Sequence, residues 1–252
     1  MGKHIPRIIV AVMNFLAHSA LAFDDPALVA GQFAGDFVRG ADLGRFPARV
    51  ASGIRLHRRI DAFTDAHPAV VEARRSFDPD LRRHAGIVID VIFDHLLARE
   101  WPSPHGRDLR AHAAWVDASL VAHADCLPPA LARFRGHIAR EDVLAGNRDA
   151  TSVATTFARL SRRSPRMAPL ALAAGQVGPL AERLQEAFRT LWPELERTAC
   201  ERLDELLADE PPVGECERDE RVADAADAGD RHRVVPVSAM PEVDDGRRRD
   251  ER

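Results

Sequence analysis

The chain has 252 residues, 46% of them hydrophobic and 29% charged, with a formal net charge of −4. That balance suits one globular domain with a real core, possibly with tails, and excludes a chain disordered along its whole length. It also argues against a basic nucleic-acid binder, and no run approaches the roughly 18 apolar residues of a membrane span.

Tyrosine is absent, while Ala, Leu and Arg are abundant, so helix is favoured over strand. Residues 1–12 read as an extension, with Met13 as an alternative initiator. Their apolar run faintly resembles a signal peptide, but Asn14 and His18 interrupt it and no cleavage site follows. Helices are then expected over 14–22, 26–39, 47–64, 67–76, 78–99, 107–124, 129–135, 140–146, 150–161, 166–173 and 177–207. Pro and Gly mark the breaks, at Pro26, Gly40, Pro47, Pro68, Pro79, Pro102, Pro129 and Pro165 among others. The expected fold is all-α, a single-domain compact helical bundle over 13–208. After Pro211-Pro212 the apolar periodicity fails. Residues 209–252 hold 14 acids and 8 arginines, and read as a charged, disordered tail. The three cysteines, Cys126, Cys200 and Cys216, form no CxxC pair, and a reduced cytoplasm is the simplest setting.

The chemistry is concentrated in acids and histidines set into apolar helical stretches. In the 47–64 helix, His57 and Asp61 fall one turn apart on the arc that carries Val50 and Ile54. Two ligand-type residues at i and i+4 can reach one cation, although a hydrogen bond that satisfies two core groups explains the same spacing. In the 84–99 segment, apolar nearly all round, Asp90 and Asp94 share a face and His95 lies about 100° away. Two carboxylates side by side in a dry core need a neutralising cation, a proton or an arginine. Asp36 follows Gly31 and Gly35, which permit close helix approach. His18, taken alone, reads as a satisfied core histidine. Oxygen and imidazole ligands together point to Mn²⁺, Mg²⁺, Fe²⁺ or Zn²⁺, and carboxylate richness leans to Mn²⁺ or Mg²⁺. Six arginines (39, 45, 49, 55, 58 and 59) lie between Arg39 and Arg59 against one acid, and Arg74, Arg75, Arg82 and Arg83 form a second group. They are either solvated faces or an electropositive rim for an acidic partner.

Four stretches resemble one known family: MNFLAH at 13–18, GDFVRG at 35–40, VASGIRLHRRIDAFTDAHP at 50–68 and IDVIFDHLLAREW at 89–101. They are similar to acyl carrier protein phosphodiesterase, also called ACP hydrolyase. SRRSPRM at 161–167 and LWPEL at 191–195 fit its second half more loosely. The resemblance implies a helical fold related to HD-type metal phosphohydrolases. It also implies Mn²⁺-dependent hydrolysis (Mg²⁺ or Fe²⁺ as alternatives) of the phosphodiester that joins 4′-phosphopantetheine to holo-acyl carrier protein. The implied metal and catalytic set is Asp36, His57, Asp61, Asp94 and His95, with Asp90 a further ligand candidate. Arg39 or Arg58 would stabilise phosphate charge. Arg45, Arg49, Arg55, Arg59, Arg74 and Arg75 would grip the acidic carrier. The expected partners include no nucleic acid and no membrane. Two other readings compete: an HD-like hydrolase of a nucleotide or other small phosphate ester, and a non-catalytic helical binding protein.

Overall fold

The computed structural model describes residues 14–208, which form eleven α-helices joined by turns and short 3-10 segments. They are α1 (Phe15–Ala20), α2 (Pro26–Ala34), α3 (Ala48–Ala66), α4 (Pro68–Arg75), α5 (Pro79–Arg82), α6 (Ala85–Arg99), α7 (Leu109–Ala122), α8 (Pro129–Arg140), α9 (Ala150–Ser161), α10 (Leu170–Ala174) and α11 (Val177–Ala208). No strand occurs among the described residues, and no helix among them is long and apolar enough to cross a membrane. The expected 1–12 extension and 209–252 tail lie outside the described residues.

Local chemistry sets most boundaries. Asp25 caps α2 by accepting from the backbone N–H groups of Ala27 and Leu28, and Pro26 occupies the first turn. The α3 helix stops before His67, whose ψ of 129° is what a residue preceding proline prefers. His67 then caps α4 through its own ring nitrogen, which accepts from Ala69 N–H at 3.3 Å.

Five expected helices come out differently, among them 166–173, where a 3-10 turn over Pro165–Met167 precedes the short α10. The 78–99 stretch divides into α5 and α6, with His84 in a non-helical conformation between them. No helix covers 140–146: α8 runs on to Arg140, Asp142 takes a left-handed φ of 46°, and Ala145–Arg148 form a 3-10 turn. The first helix ends at Ala20, because Phe23 and Asp24 also adopt positive φ. The 26–39 stretch is α-helical only to Ala34. A 3-10 turn over Gly35–Phe37 and extended backbone at Val38 carry the chain away.

One hydrophobic core joins the helices. The α6 helix is apolar on most sides and packs against α1, α4, α9 and α11. The α11 helix lays a stripe of Leu180, Leu184, Phe188, Leu191, Leu195, Ala199, Leu203 and Leu206 across α3 and α6, at the spacing of one helical face. The closest crossing is between α2 and α3. A Cβ added to Gly31 would lie 2.2 Å from the Val50 carbonyl oxygen and 2.6 Å from Gly53 Cα. A Cβ on Gly53 would lie 2.6 Å from the Leu28 carbonyl oxygen. These partners are backbone atoms that no rotamer change can move.

Gly53→Ala should therefore push α2 and α3 apart and destabilise the fold by about 1–3 kcal/mol, the usual cost of overpacking. A thermal melt beside the unsubstituted protein measures this, and an unchanged midpoint would contradict the contact.

Candidate functional site

Two helices and one turn bring an imidazole–carboxylate cluster together. His18 comes from α1, His57 and Asp61 from α3, and Asp36 from the 3-10 turn after α2. His57 Nε2 stands 3.2 Å from Asp61 Oδ2 and 3.6 Å from Asp36 Oδ1. His18 Nε2 stands 3.1 Å from Asp61 Oδ1, and its ring stacks on His57 with centroids 4.1 Å apart. The bend at Gly35 aims Asp36 back at α3. The His57 ring fills the space where a Cβ on Gly35 would be, 2.3 Å from Cδ2, so only glycine permits this approach.

Both histidines are buried, whereas the Asp61 side chain is 46% exposed and that of Asp36 is 23% exposed. The cluster is therefore closed on its imidazole side and open to solvent on its carboxylate side. His18 Nδ1 bonds Gln32 Oε1 at 2.8 Å, which directs Nε2 at Asp61. A nitrogen lone pair and a carboxylate oxygen at 3.1 Å are held together by a proton or by a cation between them. His18, His57 and Asp61 each offer a ligand atom within 4.8 Å of the others, a spacing that one cation can bridge.

The electrostatics run the same way. Burial opposes charge on His57, but hydrogen bonds with Asp36 and Asp61 and their negative charge outweigh it and raise its pKa to about 9. Burial also opposes charge on Asp61, but bonds from His18 and His57 outweigh it and lower its pKa. Asp90, half-buried on α6, is raised well above the usual carboxylate range, first by burial and then by the charges of Asp61 and Asp94. A carboxyl in that field ionises readily only when positive charge arrives.

Asp94 and His95 lie in α6 but are not brought into the three-residue cluster. Asp94 is spent on the backbone, accepting from Leu16 N–H at 2.9 Å and Ala17 N–H at 3.0 Å, with the Asn147 amide at 3.4 Å. It serves as a remote cap for α1, whose N-cap residue Asn14 makes no side-chain cap bond. Burial raises its pKa to about 7 against the lowering effect of those two N–H groups. His95 Nδ1 donates to the Asn147 carbonyl at 2.6 Å. His18, which the sequence alone reads as a core histidine, joins the cluster, and His95, which the resemblance implies as a ligand, does not. The available signal was the polarity of His18 inside the apolar FLAH stretch, which by itself does not distinguish a ligand from a core histidine.

The arginines divide. Arg58 donates to the Val38 carbonyl at 3.0 Å, bracing the turn that carries Asp36 rather than pointing free at a phosphate. Arg49 is bonded to Asp25 at 2.6 Å, Arg59 to Glu205 and the Arg202 carbonyl, and Arg74 to Asp65. Those three hold helices together. Arg39, Arg45, Arg55 and Arg75 are exposed. Arg45 lies over the Phe46 ring, and Arg75 makes a loose 3.8 Å pair with Glu72.

The fold and site define an all-helical protein with two stacked histidines and a group of carboxylates gathered at the α2–α3 crossing. The chain belongs to the acyl carrier protein phosphodiesterase family, whose sequence model matches residues 13–195. An acyl carrier protein phosphodiesterase from Yersinia pestis is 32% identical over 191 residues, covering 74% of this chain and 97% of the relative. One from Photorhabdus laumondii subsp. laumondii is 35% identical over 159 residues, 63% of this chain and 80% of the relative. One from Salmonella dublin is 34% identical over 185 residues, 73% and 95%. No solved structure matches at a significant level.

Two outcomes follow from this geometry. In the metal-free protein His57 titrates at about 9, above its unfolded value of 6.5. The stability it contributes is complete below about 6.5 and is lost as pH rises through about 9. A divalent cation held there would compete with that proton, so its affinity would rise with pH up to about 9 and its binding at pH 7 would release about one proton. Calorimetry in buffers of different ionisation enthalpy counts the proton, and no release would remove His57 as a ligand. Asp94→Ala should leave two buried N–H groups unpaired and cost about 2–4 kcal/mol, visible as a lowered melting midpoint.

Proposed function

We propose that this chain hydrolyses the phosphodiester joining 4′-phosphopantetheine to a serine of holo-acyl carrier protein, releasing apo-carrier and free 4′-phosphopantetheine. The observation that carries this is the meeting of family and geometry: the stretches that mark the family, FLAH, GDFV and LHRRID, supply the four residues of the cluster.

His18, His57 and Asp61 are the residues to hold a divalent metal, with Asp36 beside them and Asp90 as a further carboxylate. Mn²⁺ is the first choice, with Mg²⁺ or Fe²⁺ as alternatives, because two imidazoles among carboxylates suit a first-row transition ion. Such an ion supplies Lewis acidity toward a phosphoryl oxygen and a hydroxide-like nucleophile at neutral pH. Gln32 fixes the face that His18 presents. The exposed carboxylate side of the cluster admits the phosphate, and Asp36 takes a proton from the attacking water. A P–O bond to that water forms as the P–O bond to serine breaks, and the serine oxygen leaves by taking up the proton that Asp36 accepted. Exposed Arg39, three residues after Asp36, offsets phosphate charge. Arg55, on the same helix as His57, joins Arg39, Arg45 and Arg75 in attracting an acidic carrier.

Kinship with HD-type metal phosphohydrolases is part of the same proposal, supported by the all-helical frame and the helix-borne imidazole–carboxylate centre. So is a cytoplasmic setting, supported by free Cys126 and Cys200.

Incubating the chain with holo-carrier, with and without Mn²⁺, should show a Mn²⁺-dependent loss of the phosphopantetheine mass from the carrier. His57→Ala and Asp36→Ala should lower the rate by about 100-fold or more while the helical signal persists. Intact carrier alongside cleavage in a nucleotide panel would transfer the site to another phosphate ester.

A further inference from the structure

A cavity of about 380 Å³ opens among α8, α9 and the Ala145–Arg148 turn, on the side of α1 that carries Phe15. It falls in the size range of small-molecule sites. Its floor is apolar: Phe15, Val91 and Leu160 are buried, and Phe134 lies beside them. Adjacent residues chain that floor to the cluster. Phe15 precedes His18 by one turn of α1. Phe134 packs on Phe15 and on Phe37, with centroids 5.4 and 6.0 Å apart, and Phe37 directly follows Asp36.

The walls are polar in a particular sense. Thr155 Oγ1 donates to the Thr151 carbonyl at 2.9 Å and Thr156 Oγ1 to the Ser152 carbonyl at 3.2 Å. Ser152 Oγ donates to Asp149 at 3.4 Å. With their protons engaged, these hydroxyl oxygens present lone pairs as acceptors. Asn147, His137 and Arg163 add N–H donors along the same cavity. The charges that line it are balanced: Glu141 and Asp142 stand against Arg159 and Arg163, and Arg159 is paired with Glu141 at 2.5 Å. A site so balanced does not select an anion. Acceptors and donors above an apolar floor fit an uncharged chain that carries amides and methyl groups.

We propose that this cavity binds the pantetheine arm of the substrate, the neutral amide-bearing part beyond the phosphate. The phosphate then stays at the carboxylate face, and the carrier remains outside. This rests on the reading of the chain as a carrier phosphodiesterase, which names the arm. The cavity makes the arm itself a determinant of specificity, and it separates carrier substrates from small diesters that reach only the cluster.

The test fills the cavity. Thr156→Phe, and independently Ser152→Phe on the same wall, are compared with the unsubstituted full chain in the presence of Mn²⁺. The substrates are holo-carrier and bis(p-nitrophenyl) phosphate, a diester without the arm. The expected result is that the ratio of kcat/KM on holo-carrier to that on the small diester falls by about tenfold or more in both variants. An unchanged ratio in folded variants overturns the proposal. If the unsubstituted chain does not cleave holo-carrier, calorimetry with pantetheine alone decides. Binding lost in both variants upholds the cavity while the activity reading fails, and pantetheine that binds all three proteins equally, or none, overturns the cavity as well.

Discussion

The site depends on how closely α2 approaches α3. Gly31 and Gly53 let the two backbones touch, with no room for a Cβ on either side. That contact sets the height at which α2 ends relative to His57. Gly35 then repeats the device one turn later, leaving the space that the His57 ring occupies. Asp36 reaches His57 only because the α-helix tightens into a 3-10 turn at that point, instead of running on as the periodicity of 26–39 predicts. A larger residue at any of these glycines would move the carboxylate away from the imidazole.

The second dependence is electrostatic. The α1 helix has six residues, too few to be stable by itself. Asp94, buried in α6, accepts its first free N–H groups and ties it to the centre of the bundle. His18 is thereby delivered to Asp61 from a segment more than forty residues upstream. Asp94 and Asp90 lie one turn apart on α6 but live in different fields. One is matched by backbone dipoles. Burial raises the pKa of both; the N–H groups of Leu16 and Ala17 oppose that rise at Asp94, whereas the charges of Asp61 and Asp94 add to it at Asp90.

The arginines show the same division between frame and function. Arg49 secures the capping residue of α2, Arg58 braces the Asp36 turn, and Arg59 fastens α3 to the end of α11. Of the six arginines between Arg39 and Arg59, only Arg39, Arg45 and Arg55 stay exposed, with Arg75 exposed on α4.

Helical class, most helix positions and the pairing of His57 with Asp61 were legible in the sequence, because the 3.6-residue period and i, i+4 spacing are properties of a single helix. The family motifs were legible for the same reason: each is one contiguous stretch. Contacts between stretches were not. Asp94 carries the residue type of a ligand, and only packing shows that its oxygens are spent on α1. His18 carries the look of a core histidine, and only the path of α1 across α3 shows that its ring stacks on His57 and its Nε2 meets Asp61. The left-handed Asp142 is a local helix end that periodicity does not reveal: its N–H bonds the Ala139 carbonyl and that of Val143 bonds the Ile138 carbonyl. The sequence by itself determined which chemical groups are present and on which helices. The tertiary structure decided which of them share a few ångströms, because that depends on crossings between helices whose contacts are distant along the chain.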